Sequence, residues 1–288
     1  MSPPPITARE LLSLEQIGSA RFRSHRTQLN HNDAVFGGQV LGQALAAAAQ
    51  LTPGKQPHSL HGYFLRPGSG AAPIDYEVEL LRDGRRIAVR RVSALQNGAP
   101  IFQLHCSFAA PLDGFDHQLS PPAGVPRPET LPSLGDYVAA RSEALSPRMV
   151  ANYTAPFPLE LRPIEPEGDF LQRLDAPRRA YWLRVPTAAE IEEPVLHQCL
   201  MAFASDYWLA GGAAGMHALP TDRGKLQIIS LDHSVWFHRP VRADRWMLCL
   251  SDSRPSTQQG RGLVRALLYD EAGALVATTT QEALLLPT

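Results

Sequence analysis

The sequence predicts an α+β chain made of two copies of one unit, each a central helix with a meander of antiparallel strands around it. Three observations carry this. Residues 111–166 hold eleven of the 26 prolines, so the middle of the chain is a connector flanked by two similar halves. The two halves repeat one order of patterns at near-constant spacing, with Arg66 and Arg239 173 residues apart and the hairpin glycines Gly98 and Gly273 175 apart. Each half also has one helical run of small and apolar residues, of the kind a wrapped sheet buries on most sides.

In the first half "VFGGQVLGQALAAAAQL" reads as the helix and "HSLHGYFLRPG" as a strand ending in Arg-Pro. "IDYEVELLRDGRRIAVRRVSALQNGAPIFQLHCSF" then supplies the meander, with a glycine turn at Gly98. The connector holds one short helix, near Leu131 to Leu145. In the second half "VLHQCLMAFASDYWLAGG" is the helix and "ISLDHSVWFHRP" the strand. "WMLCLSDSR" and "RGLVRALLYDEAGALVATTTQEALL" complete the second meander. The boundaries are 1–115 for the first unit, 116–158 for the connector and 159–288 for the second unit.

Bulk properties exclude several function classes. Of 288 residues, 44% are apolar and 19% charged, as in an ordinary globular protein. A net charge of -1 gives no general field for nucleic acid or an anionic membrane. Cys106, Cys199 and Cys249 lie far apart, which argues against a disulfide framework or zinc ribbon and fits a reducing, cytoplasmic setting. No signal peptide, membrane-spanning run or peroxisomal C-terminal address is expected.

One carboxylate stands out. Asp206 lies in the apolar run "MAFASDYWLAGG", where helical neighbours three and four away are Ala202, Phe203, Leu209 and Ala210. A buried, unpaired carboxylate costs several kcal/mol or shifts its pKa. Either an arginine pairs with it or it is kept for chemistry. Gln281 alternates with Leu275, Ala277, Thr279 and Ala283, which makes it at least half buried and in need of partners. Ser230 alternates with Asp232, Ser234, Trp236 and His238 on an unusually polar face, where Asp232 would buttress it.

Several stretches together resemble the bacterial acyl-CoA thioesterase II (TesB) family: "VFGGQVLGQAL", "HSLHGYFLRPG", "RRVSALQNGAPIF", "ASDYW", "DHSVWFHRP" and "LVATTTQEALL". The likeness runs in order over nearly the whole chain and weakens in the connector. It implies a double hotdog fold, two antiparallel sheets each wrapped around a central helix. It implies hydrolysis of fatty acyl-CoA to free acid and CoA, without metal or other cofactor. The family's Asp, Thr and Gln, which hold a water, fall on Asp206, Ser230 and Gln281. Serine at the threonine position keeps the hydroxyl and loses the methyl that restricts its rotamers.

The residues agree with that chemistry. There is no G-x-S-x-G elbow and no H-E-x-x-H or clustered Cys/His set, so water is left to be activated by a carboxylate or imidazole. The start of the first helix, Gly37, Gly38 and Gln39, offers backbone N–H donors for the thioester oxyanion, or else its glycines only allow close packing. Sliding the two helical runs by 161 residues puts Asp206 over Leu45, so the carboxylate belongs to the second half alone. His58 is a residue that could line the site; three residues from His61, it is expected on the opposite strand face from it. Arginines in "LRDGRRIAVRR" and Arg254, Arg261 and Arg265 could meet CoA phosphates. The expected partners are acyl-CoA and further copies of the chain, in a homodimer or homotetramer. The alternatives are a non-catalytic acyl-CoA binding module, or a hotdog enoyl-CoA hydratase using a His–Asp pair.

Overall fold

The computed structural model describes residues 6–171, 176–217 and 226–287. The first half contains α1 (Ala8–Leu12), β1 (Glu15–Gly18), β2 (Arg21–Ser24), α2 (Gly37–Gln50), β3 (Gln56–Phe64), β4 (Ile74–Asp83), β5 (Ile87–Gln96) and β6 (Ala99–Ala109). The connector carries α3 (Leu134–Ala139) and α4 (Pro147–Thr154). The second half contains β7 (Glu160–Pro163), α5 (Pro166–Phe170), β8 (Arg178–Arg184), α6 (Pro194–Ser205), β9 (Leu226–Ser230), β10 (Asp232–Phe237), β11 (Met247–Ser256), β12 (Arg261–Asp270) and β13 (Leu275–Pro287).

The two expected sheets join edge to edge. Their strands run in the order β1-β2-β4-β5-β6-β3-β10-β13-β12-β11-β8-β7, with β9 also on β13, and every pairing is antiparallel. The seam is β3 against β10, where His61 sits opposite Ser234. These two residues are themselves 173 apart, so a pseudo-twofold axis passes through their pair. The duplication reaches single bonds. Arg66 Nη1 donates to the Pro100 carbonyl at 2.7 Å, and Arg239 Nη1 donates to the Leu275 carbonyl at 2.8 Å. Both hairpins turn on a glycine in the left-handed region, Gly98 at φ 77° and Gly273 at φ 83°.

α2 is buried from Gly38 to Ala48 and α6 from His197 to Ser205, and the two helices pack against each other in the core. Glycine is what lets them meet backbone to backbone. A Cβ on Gly38 would lie 2.4 Å from the Phe203 carbonyl oxygen, and one on Gly42 2.9 Å from that of Cys199. Pro194 opens α6, where a missing N–H and a fixed φ suit the first turn.

Two features depart from expectation. The connector has a second helix, α4, capped by the Ser146 side chain and opened by Pro147. Its proline favours a helix at that one position, against the general trend of prolines to break helices. The other is a slip along β13. Ser230 pairs with Ala283 but Ser234 pairs with Thr280, so four steps on one side match three on the other. The extra residue between β9 and β10 reverses the alternation of side chains.

Candidate active site

Asp206 caps the C-terminal end of α6 instead of standing within it. Its side chain is 6% exposed. That helix end carries partial negative charge, a poor place for a carboxylate. The compensation comes from the other half. α2 starts with no side-chain cap, so its first N–H groups are free to find an outside acceptor. The Gly38 backbone N–H faces the Asp206 carboxylate and lowers its pKa. Oδ2 faces this turn so closely that a Cβ on Gly37 would lie 2.9 Å from it and 2.8 Å from the Phe64 ring. Burial nevertheless wins: it pushes the Asp206 pKa up to about 6, against the lowering by Gln281 and Gly38.

Oδ1 faces the sheet. Gln281 Nε2 donates to it at 2.6 Å, and Gln281 is fully buried. Among the described residues, Gln281 Oε1 has no hydrogen-bond partner although it is buried. The alternation Ala277, Thr279, Gln281 and Ala283 is wholly buried, as the pattern of residues indicates. His233 is a member of this cluster that the sequence did not reveal. Its Nδ1 lies 3.7 Å from Asp206 Oδ1, while its Nε2 is 2.9 Å from both Ser205 Oγ and Thr279 Oγ1. Full burial depresses its pKa to about 3, so the ring is neutral.

The slip before β10 decides where Ser230 and Asp232 point. Ser230 is half-buried and opposite Ala283, which puts it on the same sheet face as Gln281. A diagonal neighbour at this spacing is roughly 7–8 Å away, with the β-carbons somewhat closer. Asp232 is on the other face, where Oδ1 accepts from the Glu282 N–H at 2.8 Å. The expectation that Ser230 and Asp232 share a face is therefore overturned, and Asp232 does not buttress Ser230. Sliding the helices by 161 residues exchanges Gly38 with Cys199 and Gly42 with Phe203, so the Gly38–Phe203 and Gly42–Cys199 contacts are equivalent under the same alignment that puts Asp206 over Leu45.

Two other expectations fail. The Gln39 N–H is used within the first turn of α2, donating to the Phe36 carbonyl at 3.0 Å. Its side chain turns away to Gln28, Arg26 and Gln43, so Gln39 offers nothing to an oxyanion. His58 sits at the far end of β3 from Phe64, about 20 Å away along the strand. A bulge there lets its Nε2 reach Ser107 Oγ at 2.7 Å, on the strand face that carries His61 and His105. It does not line the Asp206 site. Of the arginines, Arg90 is buried against Asp83 and the Leu51 carbonyl. Arg254 and Arg265 pair with Asp252, and Arg261 with Glu282.

Two family profiles cover most of the chain. One described as the acyl-CoA thioesterase N-terminal domain matches residues 26–109, and one described as the acyl-CoA thioesterase C-terminal domain matches residues 121–285. Acyl-CoA thioesterase 2 of Haemophilus influenzae is 34% identical, over 96% of this chain and 95% of its own length. This chain belongs to the acyl-CoA thioesterase II (TesB-like) family. Human acyl-coenzyme A thioesterase 8 is 36% identical over 94% of this chain and 86% of its own length. The crystal structure of acyl-CoA thioesterase II TesB2 from Mycobacterium marinum superposes with a TM-score of 0.78 at 35% identity, covering 98% of both chains. Membership makes the chain a thioester hydrolase acting on acyl-CoA, on a double hotdog. Among the described residues no helix is long and apolar enough to cross a membrane, and no cluster of His, Cys, Asp or Glu could hold a metal ion.

Proposed function

We propose that Asp206, Gln281 and Ser230 hold the water that hydrolyses a medium- or long-chain acyl-CoA. Asp206 takes a proton as the water oxygen attacks the thioester carbonyl. The Gly37 N–H, at the uncapped start of α2, stabilises the resulting oxyanion. Collapse breaks the carbon–sulfur bond, and Asp206 returns its proton to the departing CoA thiolate. The observation that carries this reading is the buried 2.6 Å bond from Gln281 to Asp206, with Gln281 Oε1 left to accept a hydrogen from water. A general base works best with a pKa near the operating pH, which the raised pKa of Asp206 approaches. Ser230 supplies a hydroxyl to orient the same water, and cannot itself be a strong base.

A cavity of about 280 Å³ lies beside the site. It is lined by connector residues including Tyr153 and Phe157, and it reaches Tyr207, which follows Asp206. This volume is close to the lower limit of ligand pockets, about 300 Å³. The reading includes the division at 1–115, 116–158 and 159–288, a cytoplasmic location and a homodimer or homotetramer. Release of CoA thiol from an acyl-CoA series, followed with a thiol dye on wild type and Asp206→Asn, tests it. Release that persists in the variant sinks the mechanism, and a maximum at short chains sinks the chain-length assignment.

A further inference from the structure

We propose that His233 is a positioning residue for the reaction, a neutral imidazole whose Nδ1–H is aimed at Asp206 Oδ1 by the hydroxyls of Ser205 and Thr279. The inference rests on the reading of Asp206 as the base. Its ground is the buried Nδ1, which faces the carboxylate and has no hydrogen-bond partner among the described residues. Ser205 Oγ is 2.9 Å from the Ala202 carbonyl, and Thr279 Oγ1 is 2.8 Å from the Ser234 carbonyl. Both hydroxyls are also 2.9 Å from His233 Nε2. Each has a single hydrogen.

Two tautomers of the neutral ring are open. In one, both hydroxyls donate to carbonyls and Nε2 carries the proton, which meets all four contacts. Nδ1 then turns a buried lone pair toward Asp206, which repels the carboxylate. In the other, one hydroxyl gives up its carbonyl to donate to Nε2 and the proton is on Nδ1, where it attracts the carboxylate. Charge in a buried site outweighs one neutral hydrogen bond, so an ionised Asp206 selects the second. The separation of 3.7 Å exceeds a hydrogen bond, and catalytic contacts of this kind tighten when substrate binds. Nδ1 has no other partner among the described residues, and the ring is fully buried.

The surroundings leave His233 little competition. α2 gives Asp206 a backbone N–H, β13 gives it the Gln281 amide, and β3 gives it the Phe64 ring. Tyr207, the next residue, has its phenol pKa pushed up by burial and stays neutral. Among the described residues no lysine or arginine pairs with Asp206. The imidazole is then the one basic side chain within 4 Å of the carboxylate in that set. Its dipole favours the anion in a site where burial disfavours it.

Side-chain isosteres separate positioning from mere filling. The amide nitrogen of asparagine mimics Nδ1, whereas leucine fills the space without a donor. The measurement is kcat/KM against pH for wild type, His233→Leu, His233→Asn and Asp206→Asn, with thermal melts to show folding. In His233→Leu the acid limb should move up by about one pH unit, a tenfold loss at low pH that largely recovers at pH 9. His233→Asn should return the limb toward wild type. A folded His233→Leu with an unmoved limb, whether fully active or equally slowed at every pH, overturns the proposal. Nitrogen-15 shifts of the wild-type ring decide it even where the variant does not fold. Protonated Nδ1 with bare Nε2 supports the proposal, and the opposite tautomer overturns it. Persistent hydrolysis in Asp206→Asn removes the base, and this inference with it. Loss there with an unmoved limb in His233→Leu removes only the role of His233.

Discussion

The pseudo-twofold axis allows the halves to be compared position by position. Gly62 opposite Leu104 in the first half becomes Val235 opposite Thr279 in the second, by the same offsets of 173 and 175. These offsets carry His233 onto Leu60, Gln281 onto Cys106 and Ser230 onto Pro57. Leu60 and Cys106 are buried and pair with each other. So one face of one unit is polar and the matching face of the other is apolar. The helices differ in the opposite sense, since α2 has the glycines and α6 ends in the carboxylate. After duplication one apolar copy fills its core, and the other tolerates an ionisable cluster against which the first copy presents its helix end.

That comparison implies one hydrolytic site per chain, and the largest effect tests it. Asp206→Asn should reduce acyl-CoA hydrolysis by about 10³-fold in a thiol-release assay. Appreciable residual turnover would mean that Asp206 is not the base and that the two halves do not differ in the way proposed. The same variant should be more stable than wild type at pH 8. Its folded pKa of about 6 exceeds the ordinary aspartate value of 3.8, so between these values the native state binds more protons and stability falls as pH rises. The gain is up to about 3 kcal/mol at pH 8 and vanishes below pH 4, measurable by urea titration. Next comes Gln281→Ala, with about a 10²-fold loss of kcat and a lower melting temperature, because Asp206 Oδ1 loses its buried donor. A change in KM alone would take the amide out of the water site.

Gly38→Ala should harm both properties, because the added Cβ meets backbone oxygen at 2.4 Å. About a tenfold loss of turnover and a melting temperature lower by several degrees are expected. Stability loss without loss of turnover would confine α2 to packing. Ser230→Ala should cost about fivefold, with Ser230→Thr close to wild type. The smallest effect on activity belongs to Cys106→Gln, which copies a single residue of the active face into the silent half. No change in turnover is expected, together with a stability loss of about 1–3 kcal/mol from an amide without partners. Increased turnover in that variant would contradict the division of labour.

Much of this was legible in the residues. Asp206 was conspicuous because an acid in an apolar run must be explained, and Gln281 because strand alternation placed it among small buried neighbours. The repeat spacing foretold equivalent bonds such as those of Arg66 and Arg239. His233 was hidden by a single-residue slip. Strict alternation from Ser230 puts it on the opposite face, and only the pairing with β13 shows both pointing inward. At Gln39 the sequence marks a helix start without saying which N–H groups are used there. At His58 a strand of nine residues is long enough to put its two ends in unrelated surroundings.

The seam between β3 and β10 has a consequence for how the enzyme behaves at low abundance. The acid and the helix end that steadies it come from different halves, yet a single polypeptide holds them in register. A catalytic centre shared between separate subunits dissolves when the protein is diluted, whereas here the effective concentration of one half for the other is fixed by covalent attachment. Specific activity of the isolated chain should therefore stay constant down to concentrations at which any higher assembly has come apart.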